Sequence, residues 1–121
     1  MRWLVDAMNV IGSRPDGWWR DREGAGCALL ADLESFARRA GDEVTAVFDG
    51  RPFELPPTRS VEVVFAPSAD DAIVENLSAD AHPGTVTVVT SDAELAARAR
   101  AAGALVTGAG GFRRRLDEAT R

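Results

Sequence analysis

TVTVVTSDAELAARARAAGALVT, Thr85 to Thr107, holds a strand, a helix and a second strand in one unbroken run. Thr85–Thr90 is rich in β-branched residues that suit a pleated, buried surface. Leu95, Ala99 and Ala102 then recur at helical spacing, and Gly103 ends that pattern as a helix C-terminal glycine does. Ala104–Thr107 is apolar again. Two strands joined through a helix in this way lie parallel, by a right-handed crossover.

The alternation extends through the chain. Trp3–Asp6, Val44–Asp49 and Val61–Phe65 read as three further strands. Leu29, Leu33, Phe36 and Ala40 form an apolar helical stripe, Ile73 and Leu77 a second, and Phe112, Leu116 and Ala119 predict a last helix after the GAGG turn. GRPFELPPTRS, Gly50–Ser60, carries three prolines and no periodicity, so the second and third strands are expected to join through an irregular loop. This order predicts an α/β fold: a three-layer α/β/α sandwich around a parallel five-stranded sheet. At 121 residues the chain is expected to be a single domain, 1–121, with one core.

Composition narrows the chemistry. Cys27 and His82 are single representatives of their types, too few for a zinc site, and Cys27 lies in an apolar helical pattern that predicts a buried thiol. The net charge of −5 argues against a general polyanion-binding surface but not against a local one. Every basic residue is an arginine, and several cluster. MRWLVDAMNV interrupts its apolar run with an acid, unlike a secretory signal, and no segment is long enough to span a bilayer. A soluble, cytoplasmic protein is expected, as a monomer or weak homodimer.

The acids fall at strand ends. Asp6 ends the first strand, Asp49 ends the second, Asp70 and Asp71 follow the third, and Asp92 follows the fourth in TSD. In parallel α/β sheets that edge is where ligands bind. Carboxylates gathered there repel one another unless a cation joins them. Oxygen ligands without histidine or cysteine suit Mg²⁺ or Mn²⁺, and such a cluster suits phosphoryl chemistry. Each acid also has a plainer reading. Ser68 with Asp71, and Ser91 with Glu94, fit capping boxes; Asp92 would favour a helix N-terminus; Asp49 before Gly50 fits a turn. Asp6 resists such a reading, because it directly follows an apolar strand. Asn9, three residues on, is either a turn former or the group that orients a carboxylate or a water.

VDAMNVIGS, VFDG, SADDAIVENL and TSDAELAARARAAGA, in this order, resemble the YacP-like branch of NYN domains, within the PIN-like nucleases. The resemblance spans Arg2 to about Leu116. The family commonly opens with D-G-Y-N, so Ala7 and Met8 depart from it while Asp6 and Asn9 match. It implies the sheet order 3-2-1-4-5 and metal-dependent cleavage of RNA, with some relatives acting on ribosome-associated messages. It also implies metal ligands at Asp6, Asp70 and Asp92, then Asp49 and Asp71, and catalytic roles for Asp6, Asp70, Asp92, Asn9 and Asp49.

Two basic segments remain. GAGGFRRRL, Gly108–Leu116, lacks the third glycine of a dinucleotide fingerprint, but a glycine turn feeding a helix can hold a phosphate beside Arg113, Arg114 and Arg115. Its alternative is a solvated helix face. RPDGWWRDR, Arg14–Arg22, sets Trp18 and Trp19 among arginines, as single-strand RNA sites do; one tryptophan is expected to staple the loop and one to face RNA, beside Arg20. Arg51 is a further candidate phosphate contact. The leading expectation is a metal-dependent endoribonuclease acting on single-stranded RNA. Its competitors are a catalytically silent RNA- or metal-binding module, and a receiver-like phosphotransfer domain, whose usual lysine this chain lacks.

Overall fold

The computed structural model describes residues 1–119. The elements follow in the order β1 (Arg2–Asp6), α1 (Ala7–Ile11), a 3₁₀ turn (Trp18–Arg20), α2 (Arg22–Ala40), β2 (Glu43–Asp49), β3 (Val61–Ala66), α3 (Ala69–Ala79), a 3₁₀ turn (Pro83–Thr85), β4 (Val86–Val89), α4 (Ala93–Ala101), β5 (Leu105–Thr107) and α5 (Ala109–Ala119). The five strands form one sheet in the order 3-2-1-4-5. All four pairings are parallel.

Strand periodicity assigns the faces. Trp3 and Val5 of β1 pack with α1, α2 and α5, whereas Leu4 packs with α3 and α4. The first face closes on an aromatic trio in which the rings of Trp3, Phe36 and Phe112 sit 5.2 to 5.6 Å apart. Its other end holds Phe48, Phe53 and Phe65, with Phe53 contributed by the proline-rich loop. Gly26 makes that insertion feasible: a β-carbon there would lie 2.8 Å from the Phe53 ring. The loop is then fastened by Glu34 of α2, whose Oε1 accepts the main-chain N–H groups of Arg59, Ser60 and Val61 at 3.0, 2.8 and 2.8 Å.

The helix ends follow local chemistry. Asp21, Ser68 and Asp92 each accept a main-chain N–H three residues ahead, and Gly41 closes α2 at φ 69°. Hence Asp92 itself, and not Ser91, caps α4. Three further expectations need adjustment. α1, a short helix that the periodicity did not announce, begins directly after Asp6. The glycines after Gly108 lie inside α5 rather than before it, because the Ser91 hydroxyl receives the Ala109 N–H and lets the helix start early. Cys27 is half-buried, since α2 turns its side to solvent at that position. Among the described residues no helix is long and apolar enough to cross a membrane.

Candidate active site

Parallel strands end at one edge, and that geometry gathers the acids. Asp6 terminates the central β1, Asp49 terminates β2, Asp70 opens α3 after β3, and Asp92 caps α4 after β4. Together with Asn9 they line a polar cleft of about 440 Å³, to which Met8 and Ser68 also contribute.

Asp6 sits at its floor, 6 % exposed. Burial pushes its carboxyl up to about 6, partly offset by the Thr90 hydroxyl and reinforced by the charges of Asp70 and Asp92. Thr90 Oγ1 donates to Asp6 Oδ2 at 2.9 Å and accepts the Asp92 N–H at 3.1 Å. Asp70 is also raised, by burial first and then by Asp92 and Asp49, with Arg98 opposing. Thus desolvation and like-charge repulsion both work against ionisation here.

The loop after β4 is tied on every side. Asn9 Oδ1 accepts the Ser91 N–H at 2.8 Å, and the Ser91 hydroxyl accepts the Ala109 N–H at 2.8 Å. One turn of α1 is what carries Asn9 from Asp6 to this contact. With its oxygen engaged there, the remaining polar atom of the Asn9 side chain is a donor, suited to a phosphate oxygen more than to a cation.

Other candidates are placed elsewhere. Asp71, expected among the metal ligands, does not line the cleft and pairs with Arg98 at 3.0 Å. Arg113, expected to contact RNA, is 14 % exposed and pairs with Asp32 at 3.1 Å and Asp117 at 3.5 Å, joining α5 to α2. Arg115 lies over Trp3, near the start of β1 and away from the cleft. Arg114 and Arg51 are exposed. Trp18 packs against the core, as a loop staple would, while Trp19 is 57 % exposed with Arg20 over its ring.

Sequence reasoning missed Thr90, Arg22 and Arg14. Thr90 had a signal, a hydroxyl ending an apolar strand beside an acid. Arg22, whose guanidinium donates to the Asp49 main-chain oxygen at 3.4 Å, and Arg14, which pairs with Asp117, are tertiary contacts with no local signature.

Among the described residues, no three acidic, histidine or cysteine side chains lie close enough together to enclose an ion as they stand. The donor chemistry nevertheless fits a hard cation. Asp6, Asp49, Asp70 and Asp92 supply oxygen alone, and among the described residues none of them forms an ion pair.

The YacP-like NYN domain family model matches residues 3–121. The UPF0178 protein mlr0875 of Mesorhizobium japonicum is 45% identical over 85 residues, 68% of this chain and 52% of that protein. The chain therefore spans about half the length of this curated relative. Two crystal structures of Rae1 (YacP) from Bacillus subtilis, one of them a mutant, superpose with a TM-score of 0.85 at 25% identity. They cover 99% and 100% of this chain, and 77% and 76% of theirs. With this match over nearly its full length, and with the strand order and acidic edge described above, the chain belongs to the YacP-like NYN domain family, of the PIN-like nucleases.

Proposed function

We propose that this protein is a metal-dependent endoribonuclease that hydrolyses phosphodiester bonds in single-stranded RNA. The observation that carries this reading is Asp6: a buried carboxyl raised to about 6, facing Asp70 and Asp92, with no cation from the described residues beside it. A fold does not retain that arrangement for stability, since it opposes folding at neutral pH.

Asp6, Asp70 and Asp92 would hold Mg²⁺ or Mn²⁺, with Asp49 at the rim. Such an ion, when bound, neutralises the attacked phosphate and lowers the pKa of water. Asp6 is the fixed member, because Thr90 sets the direction of its carboxylate. Asp92 is nearly as constrained, through its cap on Leu95 at 2.9 Å. Asn9 donates to the phosphate and keeps it in register. Arg114 contacts the flanking backbone on the α5 side.

Cytoplasmic messages, including ribosome-associated mRNA, are the substrate pool implied by the family resemblance. The receiver-like alternative is set aside on topology: the order 3-2-1-4-5 differs from the 2-1-3-4-5 of that class. The test is an end-labelled RNA offered as a single strand and as a perfect duplex, with Mn²⁺ or with chelator. Internal cleavage of the single strand in Mn²⁺, abolished by chelator and much slower on the duplex, is the expected result. Equal cleavage in chelator would remove the metal, and equal cleavage of the duplex would remove the substrate class.

A further inference from the structure

Resting on the nuclease reading, we infer that Trp19, Arg20, Arg22 and Arg51 form the surface that grips single-stranded RNA on the β2 side of the cleft, with one base stacked on Trp19. Among the described residues large apolar side chains are otherwise nearly all covered; Trp19 is one of three exposed ones, the others being Met1 and Leu105. An indole in water is ordinary by itself. This one is held in place.

The 3₁₀ turn that carries Trp19 is fastened at both ends. Gly17 enters it at φ 81°, the Arg20 N–H returns to the Gly17 oxygen at 3.0 Å, and the Asp21 N–H returns to Trp18 at 3.1 Å. Trp18 packs into the core beside Trp19, their rings edge to face at 6.1 Å. Asp21 then caps α2 through the Gly24 N–H at 2.9 Å. Arg14, pairing with Asp117, anchors the preceding loop to α5. A solvent-facing ring on a turn whose backbone is tied at both ends suits base stacking, because less order remains to be imposed on binding.

The same surface leads to the chemistry. Arg20 lies 5.9 Å from the centre of the Trp19 ring. Three residues beyond Trp19, Arg22 touches the main chain of Asp49, a wall of the cleft. Arg51 follows two residues after Asp49. All three arginines are exposed, and among the described residues none is in an ion pair, although the chain carries a net charge of −5. Guanidinium groups outside any ion pair, set between an exposed aromatic ring and an acidic cleft, complement a strand of phosphates whose bases are unpaired. A closed duplex offers no free base to Trp19.

The test uses the Asp6→Asn protein and a ten-nucleotide oligouridylate, read by tryptophan fluorescence and by anisotropy of a labelled strand. Binding quenches fluorescence. Trp19→Ala in that background removes most of the quenching and weakens affinity by about tenfold or more, while Trp19→Phe keeps most of the affinity. Arg22→Ala and Arg51→Ala each flatten the slope of log affinity against log salt by about 0.7, as expected for one phosphate contact on a single strand. Arg39→Ala, at the far end of α2, leaves the slope unchanged. Unaltered affinity and quenching in Trp19→Ala, or no binding by the Asp6→Asn protein at low salt, overturns the surface. If binding depends on Trp19 yet the wild type cleaves no RNA, the surface stands and the hydrolysis reading falls. If the wild type cleaves and Trp19→Ala keeps the same KM, hydrolysis stands and this surface falls.

Discussion

Thr90 Oγ1 donates to Asp6 Oδ2 across 2.9 Å, between the ends of β1 and β4. The same hydroxyl accepts the Asp92 N–H, so one atom fixes two acids of neighbouring strands. Thr90→Val keeps the shape and loses both bonds. Metal affinity and turnover are expected to fall roughly 10- to 100-fold, the usual cost of removing a group that orients a ligand. Thr90→Ser should recover most of both. Calorimetric Mn²⁺ titration of the two variants checks this; equal affinities in Thr90→Val and wild type would mean Asp6 needs no such orientation.

Asp6 has a signed pH consequence. Its folded value of about 6 lies above the ordinary 3.8, so between those values the folded state holds the extra proton. Stability conferred by Asp6 is therefore greatest below pH 4, declines as pH rises to about 6, and is level above that. Without metal, Asp6→Asn should be more stable than wild type at pH 8 by about 3 kcal/mol, and near parity at pH 4. Urea unfolding at the two pH values measures the difference. A variant less stable at pH 8 would show that the ionised carboxylate supports the fold.

Adjacent arginines on α5 should separate cleanly. Arg113→Ala removes the partner of the half-buried Asp32 and should cost about 1–3 kcal/mol of stability with little change in RNA affinity. Arg114→Ala should leave stability within about 0.5 kcal/mol and weaken RNA binding a few-fold, with a flatter salt dependence. Thermal melts and binding isotherms on both variants decide it. The reverse pattern would place the phosphate path along Arg113.

How much of this was legible depended on the range of the interactions. Strand and helix periodicity is local, so the alternation of Thr85–Thr107 was readable and its boundaries shifted by a residue or so. Asp6, Asp49 and Asp92 could be placed at one edge because parallel topology alone puts successive strand ends together. The sheet order came through family resemblance, not periodicity, which carries no pairing information. The ion pairs of Asp71 and Arg113 were hidden for one reason: their partners Arg98 and Asp32 lie 27 and 81 residues away, and charge in sequence does not reveal which way a side chain turns. Glu34 was invisible likewise. Nothing near it in the chain announces three N–H groups from a loop some 25 residues ahead.

The central question is whether the carboxylates at the strand ends drive strand cleavage with a divalent ion. The measurement is single-turnover cleavage of a single-stranded RNA by wild type, Asp6→Asn and Asp92→Asn across a Mn²⁺ titration, with circular dichroism confirming that each is folded. The wild type should cleave internally in a saturable, Mn²⁺-dependent manner, and either substitution should slow it by about 100-fold or more at matched RNA occupancy. Cleavage by both variants at the wild-type rate, with the same Mn²⁺ dependence, would contradict it.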